Sequence, residues 1–193
     1  MNDQHSKTAE ALKTLQYDSR WLEWRMLNEE SLHAQSERFS ESDDKNTEHY
    51  RYAAFRAALA GEGTISDELI EHYFALVNLD PDQAMARAAL VDLIGSPRLT
   101  MEQFQGLRIV TIFADPQLTK IYARHELLRE LKAADAVVDS LFDKVLSKGD
   151  SVVQRVLVDK RKLSTKQLEV LKERGANRAI RNIAKQLLQQ RRA

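Results

Sequence analysis

The sequence has 193 residues, and its 29 Lys and Arg residues balance 29 Asp and Glu residues to give a formal net charge of zero. A chain of this length can bury enough apolar surface to fold without metals or disulfides, as one domain or two small ones. Because the sequence contains no Cys, it excludes disulfides, Cys-ligated zinc sites, iron–sulfur clusters and thiol nucleophiles.

No segment of the sequence has the pattern of a membrane span or a secretory leader. The longest unbroken apolar run is the five residues 73–77, and the N-terminus is polar. We therefore expect a soluble, cytoplasmic protein with no membrane partner.

The charged residues are distributed unevenly along the chain. Residues 1–82 hold 8 basic and 17 acidic side chains, residues 83–159 hold 10 of each, and residues 160–193 hold 11 basic and 2 acidic ones. The neutral total therefore conceals an acidic N-terminal region and a basic C-terminal region. Head-to-tail self-association of two copies through these regions is one expected consequence.

The predicted secondary structure is entirely α-helical. Only six Gly and three Pro occur, too few for the turns of a β-sheet protein, and apolar residues recur at steps of three and four rather than two. Examples are Ile70, Tyr73, Phe74 and Val77. Residues 1–47 are expected to form an N-terminal helical segment that ends in a polar loop over residues 36–47.

Local signals mark several helix starts. Ser66, Thr100 and Ser164 each follow one apolar residue and precede another by four positions, the pattern of a hydroxyl cap with a hydrophobic staple. Asp80-Pro81 and Asp115-Pro116 form a second type, in which Asp accepts bonds from the first turn and Pro takes a position whose N–H has no partner. The two types alternate, which suggests a repeat.

A short motif recurs along the chain. Arg56-Ala57-Ala58-Leu59 is repeated as Arg87-Ala88-Ala89-Leu90. Less similar copies begin at Arg124, Arg155 and Arg181, and the successive spacings are 31, 37, 31 and 26 residues. Each unit then comprises a helix, a tight break and a second helix that contains the Arg. Periods of this length indicate a helical solenoid, in which a unit buries its apolar face only against its neighbours.

Residues 80–95, DPDQAMARAALVDLIG, resemble the second helix of a HEAT-type repeat, with an Asp-Pro start, a later Arg and an Ala-Ala-Leu run. Residues 150–155 are similar. The resemblance implies an all-α fold, a right-handed superhelix of antiparallel helix pairs, over residues 48–193. It further implies a ladder of Arg–Asp pairs between successive units. The basic members of this ladder would be Arg56, Arg87, Arg124 and Arg155.

Two features depart from the family pattern. Arg124 lies nine residues after Asp115, a longer step than in the other units, and Asn177 replaces Asp in the last unit. Aligning the last two units nevertheless superposes Gly149 on Gly175. The motif therefore supports the fold and does not identify a partner.

The sequence holds no recognisable catalytic or metal-binding constellation. Glu30 and His33 have the spacing of helical di-iron sites, but no second copy occurs, since Glu68 and His72 are four residues apart. His125 is not followed by the second His of a zinc protease helix, and no Gly-rich phosphate loop is present. We therefore predict a protein that is not an enzyme and that holds no metal or cofactor.

An aromatic cluster near the N-terminus allows two interpretations. Its members could stack on nucleic-acid bases, or they could close the open end of a helical stack, and we favour the second interpretation. They are Trp21, Trp24, Tyr50, Tyr52 and Phe55.

The basic C-terminal region is the strongest charge feature of the sequence. The candidate partner-binding residues are Lys160, Arg161, Lys162, Lys166, Arg174, Arg178, Arg181 and Lys185. The last four of these follow steps of four, three and four, which predicts that they share one face of a final amphipathic helix. Such a helix could contact an acidic protein surface, follow a nucleic-acid backbone or remain solvated.

The function predicted from these features is a non-enzymatic protein–protein interaction module, a scaffold or adaptor that presents a helical surface to a protein partner. The alternative is a helical repeat protein that binds nucleic acid through its basic C-terminal region. Nucleic-acid binding would weaken steeply with salt, because each phosphate that a cation neutralises releases counterions.

Overall fold

The structure is a computed structural model that describes residues 2–111, 115–159 and 163–192. All regular secondary structure in these ranges is α-helical, which confirms the predicted all-α class. The helices are α1 (Asn2–Thr14), α2 (Arg20–Glu23), α3 (Glu29–Glu41), α4 (Thr47–Ala58), α5 (Asp67–Leu79), α6 (Gln83–Gly95), α7 (Met101–Thr111), α8 (Pro116–Ala133), α9 (Asp139–Lys148), α10 (Ser151–Asp159), α11 (Thr165–Arg174) and α12 (Arg178–Arg192). None of them combines the length and the apolarity that crossing a membrane requires.

The backbone contacts group the chain into two compact units. Unit 1 is Met1–Ala114, and unit 2 is Asp115–Ala193. This division falls inside the range 48–193, which the sequence predicts as one repeat domain. The predicted boundary after residue 47 stays a prediction.

Four aromatic rings form a continuous series in the core of unit 1. The ring centroids are 5.3 Å apart for Tyr17 and Trp21, 4.6 Å for Trp21 and Phe55, and 4.8 Å for Phe55 and Tyr73, all in edge-to-face arrangements. The Tyr17 hydroxyl donates to Gln35 Oε1 at 2.6 Å, and burial raises the pKa of Tyr17. Residues on both sides of position 47 therefore share one core.

The polar loop predicted over residues 36–47 is wrong in its first half. Helix α3 continues to Glu41, and only residues 42–46 separate it from α4. Phe39 packs edge-on against Tyr50, with ring centroids 5.8 Å apart. This contact anchors the last part of α3, where Phe39 is the one apolar residue in the range 35–41.

Four of the predicted helix starts are confirmed, because each cap side chain accepts a hydrogen bond from a first-turn N–H. The caps are Ser66, Thr100, Asp115 and Ser164. Pro116 occupies the first position after Asp115, where a missing N–H costs nothing.

Helix α6 begins after Asp82 and not after Asp80. Asp82 Oδ1 accepts the Met85 N–H at 2.8 Å, whereas Asp80 ends α5. The predicted start at Asp80-Pro81 is therefore wrong. Asp80 Oδ1 does accept the Asp82 N–H at 2.8 Å, but the helix begins only after Asp82. The Asp80 carboxylate also forms a buried ion pair with Arg51, a partner far away in sequence.

A glutamine side chain joins the starts of α5 and α7 in unit 1. Gln103 Oε1 accepts the Thr100 N–H at 3.0 Å, which completes the predicted capping box. Its Nε2 donates to Ile65 O at 2.8 Å and to Asp67 Oδ1 at 2.6 Å. One side chain therefore caps α7 and holds it beside the start of α5.

Unit 2 contains the same arrangement at the starts of α9 and α11. Gln167 Oε1 accepts the Ser164 N–H at 2.9 Å, and Nε2 donates to Val137 O at 3.1 Å and to Asp139 Oδ1 at 2.9 Å. Each bond has its equivalent around Gln103. At these helix starts, α11 is related to α9 as α7 is related to α5.

The helices of unit 2 form two rows. Helices α8, α10 and α12 pack side by side, α9 packs on α11, and α9 and α11 also contact α10 and α12 respectively. The core includes Phe142, Val145, Leu157, Leu168 and Leu171, each at most 3% exposed. The two rows therefore share one apolar interior.

Two glycines end helices of unit 2 at positions where a side chain would clash with the helix backbone. The Gly149 N–H donates to Val145 O at 2.8 Å, and the Gly175 N–H donates to Leu171 O at 2.9 Å. A Cβ would lie 2.5 Å and 2.7 Å from these same oxygens. The two residues that the repeat alignment superposes thus have the same local geometry.

Candidate functional site

The C-terminal helix α12 has a buried apolar side. Ile180, Ala184 and Leu188 are at most 4% exposed in the core of unit 2, and Ile183 and Leu187 pack against that core. Steps of three and four place these residues on one side of the helix. The apolar side of α12 is therefore occupied within its own unit.

Cations lie beside this buried side, and we define Arg178, Arg181 and Lys185 as the α12 basic stripe. Arg178 and Lys185 are exposed, whereas Arg181 is half-buried and donates from Nη1 to Gly175 O at 2.7 Å. Arg181 thus also satisfies a carbonyl at the end of α11. Helix α12 contains five basic and no acidic residues. No carboxylate of its own therefore neutralises the stripe.

Arg174 is not part of this helix. It is the last residue of α11, and α12 begins after Asn177, whose Oδ1 accepts the Ile180 N–H at 3.0 Å. The prediction that Arg174 shares a face of the final helix with Arg178 is therefore wrong. A break that begins at Gly175 interrupts the helical register between them.

The remaining candidate cations lie before α12. Lys166 is exposed in the first turn of α11. Lys160, Arg161 and Lys162 lie outside the described residues. The described part of the candidate surface is therefore the α12 basic stripe, together with Lys166 and Arg174 on the neighbouring helix.

Helix α11 contains carboxylates that pair with one of its cations, in contrast to α12. Lys172 Nζ contacts Oε2 of Glu169 and lies 3.5 Å from Oε1 of Glu173. The hydrogen bond to Glu169 raises the pKa of Lys172. An unbalanced positive charge is thus concentrated on α12.

Arg124, a predicted ladder residue, pairs with an acidic residue at the start of another helix. Its Nε lies 2.5 Å from Oδ2 of Asp150, and Asp150 Oδ1 accepts the N–H groups of Val152 and Val153. Although partial burial acts to raise it, the Val153 N–H and the Arg124 guanidinium hold the pKa of Asp150 below its usual range. Arg124 therefore connects α8 to the cap of α10.

The other three predicted ladder residues have different surroundings. Arg155 Nε lies 3.0 Å from Oδ2 of Asp159, four residues further along its own helix. Arg56 Nε lies 4.0 Å from Asp92 Oδ2, and 69% of the Arg56 side chain is exposed. Arg87 is exposed on α6. The ladder of all four residues stays a prediction.

A fully buried ion pair involves an Arg that the repeat motif does not include. Arg51 donates from Nε and Nη2 to the Asp80 carboxylate, and only 2% of each side chain is exposed. Arg51 precedes Asp80 by 29 residues, and Arg124 precedes Asp150 by 26. The signal that could have found the pair is an Arg followed at this distance by an Asp near a helix start.

Burial excludes base stacking for two residues of the predicted aromatic cluster. Trp21 is 2% exposed and Phe55 is fully buried. Trp24 is partly exposed, and its ring stacks on His72 with centroids 4.4 Å apart and 9° between the ring planes. These two rings and Glu68 line a cleft of about 480 Å³. The closing of a helical stack by these aromatic residues stays a prediction.

Metal-ligating side chains do not cluster in the part of the chain that the structure describes: it holds no group of three or more His, Cys, Asp or Glu that could bind a metal ion. His33 is the histidine of the Glu-x-x-His pattern, and its Nε2 lies 3.2 Å from Thr8 Oγ1. This side chain is therefore engaged in joining α3 to α1.

No family model, no curated protein and no solved structure matches the chain.

Proposed function

We propose that this protein is a non-enzymatic interaction module, a HEAT-like right-handed stack of helix pairs that binds an acidic protein partner through the α12 basic stripe. The proposal rests on one observation. Helix α12 buries its apolar side in unit 2 and has, beside it, exposed cations with no acidic side chain among them. A cationic surface of this kind attracts and orients an acidic surface.

The contacts between helices support the stacked arrangement. Gln103 and Gln167 make equivalent bonds to the starts of α5 in unit 1 and α9 in unit 2 respectively. Gly149 and Gly175 end helices in the same way. Recurring contacts at matched positions are what a chain of stacked helix pairs requires, and such stacks offer extended surfaces to protein partners.

Three Arg side chains of unit 2 already bond to groups within the chain, which favours a protein partner over nucleic acid. Arg124 and Arg155 lie on helices that pack in the same row as α12, and both are paired with carboxylates. Arg181 donates to a backbone carbonyl. A protein that binds duplex DNA tightly typically neutralises about 6–10 phosphates, whereas a small acidic patch on a protein needs only a few cations.

Nucleic-acid binding is the second candidate, and the absence of acidic residues from α12 is the observation that favours it. A cationic helix without carboxylates does not repel phosphates, so each phosphate contact contributes to the affinity for nucleic acid. The two candidates are separated by treating the isolated complex with nuclease, because only nucleic-acid-mediated association is lost.

The experiment compares three forms of the full chain in affinity purification with chemical crosslinking. They are the wild type, Arg178→Glu/Lys185→Glu, and the matched control Lys120→Glu/Lys148→Glu, which reverses two exposed cations of unit 2 outside the stripe. We expect one acidic protein to crosslink to α12 in the wild type and the control, and to co-purify with both of them without crosslinker, with and without nuclease. It should be lost from the stripe variant in the purification without crosslinker, where the result does not depend on the Lys185 amine. Equal recovery by all three forms would contradict the proposal, and loss on nuclease treatment would favour the second candidate.

A further inference from the structure

A second surface lies in unit 1, between α5 and α7. Ile70, Phe74 and Leu107 form the apolar floor of an open groove of about 420 Å³. Asp67 and Glu71 are exposed at its rim. We call this surface the α5–α7 groove.

The groove owes part of its space to a glycine in the interior of α7. Gly106 lies on the groove, and a Cβ built on it would meet no atom within 4 Å. Glycine in the middle of a helix destabilises it by about 1 kcal/mol relative to alanine. Neither a positive φ nor a close backbone contact requires glycine at this position, so its structural effect here is to leave space.

Unit 2 has a larger residue at the matching position. Gly106 lies three residues after Gln103, and Val170 lies three residues after Gln167, the glutamine that makes the equivalent bonds. Val170 is partly buried and packs against the core of unit 2. The side chain that covers this place in unit 2 is therefore missing from unit 1.

The charges around the groove define the chemistry of its occupant. Asp67 and Glu71 are exposed, and residues 1–82 of the chain carry 17 acidic against 8 basic residues. The apolar floor and the acidic rim of the groove together complement an amphipathic helix. Such a helix has apolar residues on one side and Lys or Arg beside them. An acidic peptide would meet like charges at the rim.

We propose that the α5–α7 groove binds a basic amphipathic helix of another protein, with an apolar side chain of that helix lying over Gly106. This inference is independent of the function proposed for α12, because the two surfaces are on different helices and have opposite charge. The space at Gly106 admits an apolar side chain of the bound helix, and Asp67 and Glu71 orient that helix by pairing with its cations.

The test uses two synthetic helical peptides of about 15 residues, the length at which an isolated helix begins to be stable. One has Leu at helical spacing and Lys at the remaining polar positions, and the other has Glu in place of every Lys. Binding to the full chain is measured by isothermal titration calorimetry. The chain is used as wild type, as Gly106→Val, as Glu71→Lys, and as the control Gln105→Val, which adds the same side chain at an exposed position next to the groove.

We expect the basic peptide to bind the wild type and Gln105→Val at least tenfold more tightly than the acidic peptide does. Gly106→Val and Glu71→Lys should each weaken that binding by tenfold or more, and Arg178→Glu/Lys185→Glu should leave it unchanged. Circular dichroism checks the fold of each variant, and Glu71→Lys tests the groove even if Gly106→Val does not fold. Equal affinity for both peptides, or unchanged binding by both groove variants, would overturn the proposal. So would a wild-type dimer in light scattering that Gly106→Val converts to a monomer, since a second copy would then occupy the groove.

Discussion

Arg51 and Asp80 form a buried ion pair that joins three segments of unit 1. The Arg51 Nε lies 2.8 Å from Asp80 Oδ2, and Nη1 donates to Leu15 O and Thr47 Oγ1, both at 2.9 Å. One guanidinium therefore contacts the end of α5, its own helix α4 and the backbone that follows α1. Charged groups are found fully buried only when such bonds are satisfied.

Replacing Arg51 with Ala should cause a large loss of stability. The Asp80 carboxylate would stay buried without its cation, and breaking a buried pair in this way costs about 3–5 kcal/mol. The free energy of unfolding is measured by urea denaturation. Arg56→Ala is the control, because that side chain is 69% exposed and its loss should cost less than about 1 kcal/mol. Similar losses for both variants would contradict the packing described for Arg51.

Two glycines should respond in opposite ways to substitution by alanine. Gly149→Ala places Cβ 2.5 Å from Val145 O, so the helix end must shift, and we expect a loss of about 1–3 kcal/mol. Gly106→Ala meets no atom within 4 Å and should stabilise the chain by about 0.5–1 kcal/mol, since alanine restricts the unfolded chain and favours the helix. Thermal melts of the two variants check the sign of each change.

The bridge made by Gln167 should be necessary for the stability of unit 2. Gln167 is 4% exposed, and Gln167→Met keeps its approximate volume but leaves Val137 O and Asp139 without their donor. Losing a buried partner of this kind costs about 1–3 kcal/mol. The exposed substitution Gln105→Met should change stability by less than about 0.5 kcal/mol. Chemical denaturation followed by circular dichroism compares the two, and a neutral Gln167→Met would contradict the structural role of the bridge.

Acidification should destabilise unit 2 through His125. Burial and the neighbouring Arg129, Arg124 and Lys132 lower the pKa of His125 below its ordinary value of 6.5. The unfolded chain therefore binds the proton more readily than the folded chain does. The contribution of neutral His125 to stability is fully present above about pH 6.5 and is lost as the pH falls below that value.

The variant His125→Gln isolates this effect, because glutamine does not titrate. Urea denaturation followed by circular dichroism at about pH 7.5 and about pH 5.5 should show a smaller loss on acidification for His125→Gln than for the wild type. A loss of the same size in both proteins would show that His125 is not responsible for it.

Local signals in the sequence predicted the helices well. The caps at Ser66, Thr100 and Ser164 are confirmed, because each cap side chain bonds to an N–H only three residues further along the chain. The sequence places Arg174 on the final helix because steps of four and three continue from Arg174 to Arg178 and Arg181 across the break at Gly175. Spacing alone does not reveal that a helix has ended.

Long-range contacts were beyond the reach of local patterns. Asp80-Pro81 has the form of a helix start, yet the Asp80 carboxylate binds Arg51, 29 residues earlier. The α5–α7 groove was not predicted either, since its opening depends on two helices that the Gln103 bridge brings together. The effect of Gly106 on the groove is recognised only by comparison with Val170, the residue at the matching position of unit 2.

The aromatic series of unit 1 also determines what tryptophan fluorescence can report. The chain has two tryptophans, Trp21 within the edge-to-face series and Trp24 stacked on His72, and both lie in unit 1. Emission intensity therefore follows the melting of unit 1 alone, whereas circular dichroism follows the helices of both units. Superimposable transitions from the two signals would mean that the units unfold together, and separated transitions would assign a stability to each.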